Sequence, residues 1–130
     1  MPKHLIEQQL EKRILIIDGA MGTMIQNADL SAEDFGGEEY DGCNEYLNII
    51  RPDVLEGVHD AYLEAGADII CTNTFGGTPV VLDEYGLGHR AAEINKKRSK
   101  SPKSAKRNIR RRNGRALLRV HSARRRKLCR

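Results

Sequence analysis

The chain has 130 residues, 31% of them charged, and carries a formal net charge of +4. That length suits one ordinary domain. No apolar run approaches the roughly 20 residues that cross a bilayer, and the N-terminal MPKHLIEQQLEKR lacks the apolar core of a secretory signal, so the expected compartment is the cytoplasm, with no membrane partner. Cys43, Cys71 and Cys129 are far apart and form no C-x-x-C pair, so reduced thiols are expected rather than a disulfide framework or a zinc motif.

The small net charge conceals a division. All 18 acidic residues lie between Glu7 and Glu93, and residues 1–95 hold five basic ones (Lys3, Lys12, Arg13, Arg51 and Arg90), so residues 1–95 carry −13. From Lys96 to Arg130 there are 17 basic residues and no acid. Tails of one sign are usually disordered or bind nucleic acid, but so clean a cut calls for its own explanation.

Taken in chain order, Leu5, Ile6 and Leu10 among polar neighbours predict a short amphipathic helix. Arg13-Ile-Leu-Ile-Ile-Asp18 is a continuous, largely β-branched apolar run, which predicts a strand buried on both faces. Gly19 and Gly22 then let the chain turn sharply. Residues from Asn27 to Asn48 show no sustained period and read mostly as loop with a short helix. Arg51-Pro52-Asp53 opens a helix, because proline suits the first turn and an early acid complements the dipole. Val54, Leu55, Val58, Ala61, Tyr62 and Ala65 form its apolar stripe, and Gly66 stops it at C′. Ala67-Asp-Ile-Ile-Cys-Thr72 predicts a second buried strand. Strand, helix and strand make a βαβ unit with parallel strands. A further helix begins near Pro79, breaks at Gly86-Leu-Gly88, and resumes from His89 to Asn95.

The loops after both strands carry specific words. Asp18 to Thr23 reads D-G-A-M-G-T and Thr72 to Thr78 reads T-N-T-F-G-G-T. Between them stand G-C-N-E-Y-L-N, from Gly42 to Asn48, and R-P-D-V-L-E-G-V-H-D-A-Y-L-E-A-G-A-D, from Arg51 to Asp68. In this order and spacing they closely resemble the N-terminal homocysteine-binding domain of the cobalamin-dependent methionine synthases, a homocysteine S-methyltransferase domain, over about residues 12–95.

The resemblance implies a (β/α)₈ TIM barrel with its chemistry at the C-terminal ends of the strands, where Asp18, Thr72 and Asn73 fall. It implies that homocysteine binds as a thiolate on zinc held by three cysteines of later strands, which would make the sulfur nucleophilic near neutral pH. It also implies that Asp18 helps hold the substrate ammonium group, that the Gly19 and Ala20 backbone and Phe75 line the pocket, and that Asn73 joins them. Cys71 does not match a family zinc ligand. In the family the methyl group comes from methyltetrahydrofolate through cobalamin, handled by later domains.

Other readings of the same residues are plain. Asp18-Gly19 also suits an ordinary strand-ending turn. Gly19-Ala-Met-Gly22 is no phosphate loop, since the chain has neither G-x-G-x-x-G nor G-K-[ST]. Phe75 alone reads as core. His59 is expected to face solvent on its helix, and His4, His89 and His121 show no ligand spacing.

The tail breaks the pattern. After A-A-E-I-N the family continues with a helix and a strand followed by a loop like G-S-x-G-P-T, whereas here Lys96 begins K-K-R-S-K-S-P-K-S. Codons built from the third base of each residue and the first two of the next restore the family pattern. Lys97 to Pro102 can then give A-V-E-I-A, and Leu117 to Arg130 can give V-A-G-S-L-G-P-T-A-K-T-L-P. The first two bases are mostly fixed, so a shifted reading frame explains an abrupt, acid-free, arginine-rich tail.

The expectation is therefore an α/β chain: residues 1–95 form the first two βα units of a partial TIM barrel, and 96–130 a disordered, out-of-frame basic tail. With two of eight barrel strands and no zinc cysteines, this polypeptide is expected to be an unstable, inactive fragment of a homocysteine S-methyltransferase. The alternative is a small protein whose arginine-rich segment, Asn108 to Arg126, binds nucleic acid nonspecifically. Against it, no aromatic residue follows Tyr85 to stack on bases. A third reading, in which the acidic and basic parts neutralise each other, has no motif behind it.

Overall fold

The computed structural model of the chain describes residues 5–97 and 118–120. Helix α1 spans Leu5–Leu10, as the apolar spacing requires. The run that follows is not a strand. Ile17 makes one parallel bridge to Ile69, and Ile14, Ile16 and Ile17 stay exposed at 87%, 54% and 54%. The expected double-sided burial fails because this segment, among the described residues, is paired along one edge and little covers its faces.

Helix α2, Met21–Gln26, was not legible in the sequence. Gly22 lies inside it, and neither Gly19 nor Gly22 takes a positive φ, so the sharp glycine turn expected there is absent. The chain leaves its strand-like run and enters a helix with Ala20 as the N-cap. Turns and two 3₁₀ segments, Glu38–Tyr40 and Asn44–Tyr46, then lead into α3, Leu47–Ile50.

Helix α4, Pro52–Glu64, starts with proline in its first turn and ends at Ala65, with Gly66 at φ 106° as expected of a C′ glycine. Its buried residues are Leu55, Val58 and His59. His59 is thus 1% exposed instead of facing solvent. It lies four residues after Leu55 and beside Val58, and tertiary packing places that stripe inward. Ala61 and Ala65, assigned to the apolar stripe, are exposed.

Strand β1, Ile69–Cys71, has Ile70 buried between its two half-buried neighbours. It pairs in parallel with β2, Leu118–Val120, in the register Ile69 to Leu118, Ile70 to Arg119 and Cys71 to Val120. Leu118–Val120 of the basic tail therefore form a strand where disorder was expected, and Lys96 and Lys97 belong to the last helix; the tail's other residues lie outside those described. After β1 come α5, Pro79–Leu82, a 3₁₀ turn, Gly86 in the left-handed region, a second 3₁₀ turn and α6, Ala91–Lys97. The helix–break–helix pattern expected after Pro79 is present.

Two apolar clusters hold the helices together. One joins Cys43, Tyr46, Leu82, Leu87, Ala91 and Ile94; the other joins Ile25, Phe35, Leu47 and Leu55. Each fully buried leucine there contributes about 1.5–3 kcal/mol of transfer free energy. Helices predominate around a short parallel sheet, and the described residues close no barrel.

Candidate functional site

The site is built where the Ile14–Ile17 segment and β1 end side by side. Three backbone hydrogen bonds join them: Ile69 N–H to Ile16 O at 3.1 Å, Asp68 N–H to Ile16 O at 2.7 Å, and Asp18 N–H to Ile69 O at 2.9 Å. At the entry end, the Arg13 guanidinium grips the buried Asp68 carboxylate through both nitrogens, at 2.6 and 2.9 Å, and the Ile16 amide donates to the same carboxylate at 3.1 Å. This bond to Asp68 raises the Arg13 pKa above its ordinary value. The pair acts as a clamp that fixes the register of the segment carrying Asp18.

At the exit end, Asp18 is 9% exposed. Its Oδ2 accepts the Cys71 amide hydrogen at 2.9 Å, while Oδ1 is buried and accepts no hydrogen bond within the described structure. Burying a carboxylate oxygen without a partner is costly, so such an atom in a native site calls for a ligand or water. Burial, followed by the adjoining Asp18 carboxylate, pushes the Cys71 thiol up to about 11. The thiol is therefore neutral around physiological pH.

Gly19 and Ala20 follow at the surface. A Cβ on Gly19 would lie 3.4 Å from the Tyr62 hydroxyl, so a side chain here would press on the α4 tyrosine. Asp18, Gly19 and Ala20 thus follow one another where the Ile14–Ile17 segment ends.

Asn73 and Phe75 behave differently. Asn73 is buried, and its Nδ2 donates to Asn44 O at 2.7 Å and to Asn48 Oδ1 at 3.4 Å, while Asn48 Nδ2 donates to Asn73 O at 2.7 Å. Its amide is committed to holding the loop. Phe75 is 77% exposed, and nothing among the described residues encloses it. The loop is pinned further by Glu45 Oε1, which accepts the Gly76 amide hydrogen at 2.7 Å, and by a bond between the Thr72 and Thr74 hydroxyls at 2.8 Å.

The sequence reading gave no site role to Cys71, Asn44, Glu45, Asn48 or Tyr62. The signal for three of them was the word G-C-N-E-Y-L-N, whose Asn44, Glu45 and Asn48 all bond to the loop after β1. Cys71 was set aside as a strand residue, and only the Asp18 contact reveals it.

The fit of a zinc ion was tested against the donors present. Cys43 is buried in an apolar cluster, where burial raises its thiol pKa, and Cys71 faces Asp18; both are free thiols. No group of three or more His, Cys, Asp or Glu that could hold a metal occurs among the described residues. The described residues do not fit a zinc site. Among them, too, no helix is long and apolar enough to cross a membrane.

The sequence model of the homocysteine S-methyltransferase family matches residues 15–121. The chain is 48% identical over 99 residues to a methionine synthase of Mycobacterium tuberculosis, an alignment covering 73% of this chain and 8% of that protein. It is 46% identical over 90 residues to a methionine synthase of Mycobacterium leprae, covering 69% of this chain and 7% of that one. The chain thus spans less than a tenth of the length of these curated relatives. Nothing in these matches supports the nucleic-acid reading of the arginine-rich segment, which lies outside the described residues apart from 118–120.

Proposed function

The chain belongs to the homocysteine S-methyltransferase family, and from that premise we propose that its strand ends form the amino-acid end of a site in which the sulfur of homocysteine accepts a methyl group to give methionine. The Asp18 carboxylate binds the substrate ammonium group. The Gly19 and Ala20 backbone and Phe75 line the pocket, and Asn73 holds the loop that carries Phe75. One observation carries this reading: Oδ1 of a buried carboxylate, fixed by the Cys71 amide beside β1, accepts no hydrogen bond among the described residues. A charged ammonium group is the strongest donor that could complete it.

The described residues supply binding rather than chemistry. In this reading residues 1–95 are the first two βα units of the barrel, and the cysteines that would hold zinc, and with it make the sulfur nucleophilic, belong to the remaining strands. Methyltetrahydrofolate, acting through cobalamin, is the methyl donor in other parts of the parent enzyme, whose compartment is the cytoplasm. The 130-residue polypeptide by itself is inactive, and residues 96–130 are read out of frame.

Binding of L-homocysteine to the purified chain, followed by calorimetry, tests the site. Weak binding that falls roughly tenfold or more in Asp18→Asn supports it, since a hydrogen bond to a charged group contributes about 1.5–3 kcal/mol. Equal binding by both proteins overturns it. Methionine formed from homocysteine and methylcobalamin by the purified chain would sink the claim of inactivity. Resequencing across the codons for Ile94 to Arg98 and beyond decides the frame. A one-base difference restoring A-V-E-I-A and G-S-x-G-P-T supports the shift, and an unchanged sequence removes it.

A further inference from the structure

Two aspartates close the two ends of the hydrogen-bonded seam between the Ile14–Ile17 segment and β1. Around the Ile17–Ile69 bridge, the Ile69 amide donates to Ile16 O at 3.1 Å and the Asp18 amide to Ile69 O at 2.9 Å. Continued as a parallel ladder, the next acceptors would be the main-chain carbonyls of Ala67 and Asp18. Side-chain carboxylates stand in their places. Asp68 Oδ2 accepts the Ile16 amide hydrogen at 3.1 Å, and Asp18 Oδ2 accepts that of Cys71 at 2.9 Å.

The two carboxylates differ in what else they hold. Asp68, its side chain fully buried, is gripped by the Arg13 guanidinium at 2.6 and 2.9 Å. Asp18 pairs with no cation among the described residues, and its Oδ1 is buried without a hydrogen bond. Between Arg13 and Asp18 run the exposed Ile14, Ile16 and Ile17, so apolar cover does little to fix this segment along β1. The polar bonds must do so.

Resting on the reading of Asp18 as the ammonium-binding residue, we propose that Arg13 and Asp68 are positioning residues of that site: by locking the start of the seam, they set the register that presents Asp18 Oδ1 to the ligand. A slip of two residues, the smallest that keeps side chains on their own faces, would set Ile16 or Ala20 where Asp18 stands. The forked guanidinium resists that slip because it holds both oxygens of a planar carboxylate in one orientation.

The test uses the full chain, with amide hydrogen exchange read by NMR and L-homocysteine binding by calorimetry. Arg13→Ala should speed exchange of the Cys71 amide, which Asp18 protects, more than that of Ile94 in α6. It should also weaken L-homocysteine binding, by at most the roughly tenfold loss expected of Asp18→Asn, because the pair acts only through Asp18. Added to Asp18→Asn, Arg13→Ala should weaken binding no further, whereas a merely structural loss would weaken it in either background. Coupling is reciprocal, so saturating L-homocysteine should slow exchange of the Ile16 amide in the unaltered chain more than that of Ile94.

In folded Arg13→Ala, a Cys71 amide that exchanges no faster relative to Ile94 overturns the lock and leaves the ammonium reading intact. A faster Cys71 amide with unchanged L-homocysteine binding, or a loss repeated in Asp18→Asn, overturns the positioning role. Binding that is equal in Asp18→Asn and the unaltered chain overturns the proposal through failure of the ammonium reading itself. Removing Arg13 leaves the Asp68 charge buried and unpaired. If circular dichroism shows that the variant does not fold, the Ile16 amide of the unaltered chain decides alone: selective slowing supports the proposal, and its absence overturns it.

Discussion

Two stretches of similar make-up, Ile14–Ile17 and Ile69–Cys71, run side by side in parallel and each leads into a polar residue of the site. The second is a strand with Ile70 buried and a neighbour along each edge, Ile17 on one side and β2 on the other. The first has one bridge and leaves three isoleucines in solvent. What separates them is cover. Apolar, β-branched sequence makes a segment capable of being a strand, but pairing and burial come from whatever packs on its edges and faces. The poorly covered segment nevertheless carries Asp18, and it is held by polar bonds: the Arg13–Asp68 clamp at one end and the Cys71 amide at the other.

The widest separation between the two stretches should appear in Ile70→Ala and Ile14→Ala. The first is expected to cost about 2–5 kcal/mol, the range for emptying a core site. The second should stay within about 0.5 kcal/mol, as for an exposed residue. Urea unfolding measures both, and equal costs would mean that Ile14 is covered in solution.

Next in size is the polar lock on the better-covered side. Asn48→Ala removes the donor to Asn73 O and the second of the two acceptors of the Asn73 amide, and should cost about 1–3 kcal/mol. Proteolysis between Thr72 and Thr78 should quicken in the same variant. An unchanged cleavage rate would show that Glu45 and the threonine pair hold the loop without it.

Gly66→Ala is expected to cost about 1–2 kcal/mol, because a Cβ is strained at φ 106° in the turn that delivers α4 to β1. Thermal unfolding checks it, and a neutral result would place Gly66 at a negative φ in solution.

The smallest effect lies far from both stretches, at the exposed pair of Arg90 with Glu93. The Arg90 hydrogen bond, then its charge, holds the Glu93 carboxyl below the usual glutamate range. A depressed folded pKa means the contribution is present above the ordinary carboxylate range and fades as pH falls through the folded value. Glu93→Gln should therefore lower the melting temperature slightly at neutral pH and not at all in strong acid. A difference that persists in acid would show that packing, rather than charge, is lost. Cys71 has the opposite sign: its raised pKa favours the fold below the ordinary thiol range, and that contribution disappears as pH rises through about 11.

The family was legible because its words are local. The order of words from Asp18 to Thr78 pointed to it and to the end of β1, and Pro52 and Gly66 bracketed α4 because their backbone constraints act within a residue or two. The helix, break and helix from Pro79 to Lys97 followed from Gly86 in the same way. The misses are residues whose fate depends on distant partners. α2 was hidden because Gly19 and Gly22 looked like turn residues. His59 was assigned to solvent by its polarity, although its place relative to Leu55 and Val58 set it on the buried face.

By itself the sequence determined the family, the helix boundaries at proline and glycine, and the charge division at Lys96, because these are properties of short words and of composition. Only the tertiary structure decided that Cys71 adjoins Asp18 across 53 positions, that Asn48 and Asn73 lock the loop, and that Ile14 to Ile17 lie open. The physical reason is common to all three. Hydrogen bonds and burial between segments distant in the chain depend on where the intervening helix sets them down, and no periodicity in either segment records that placement.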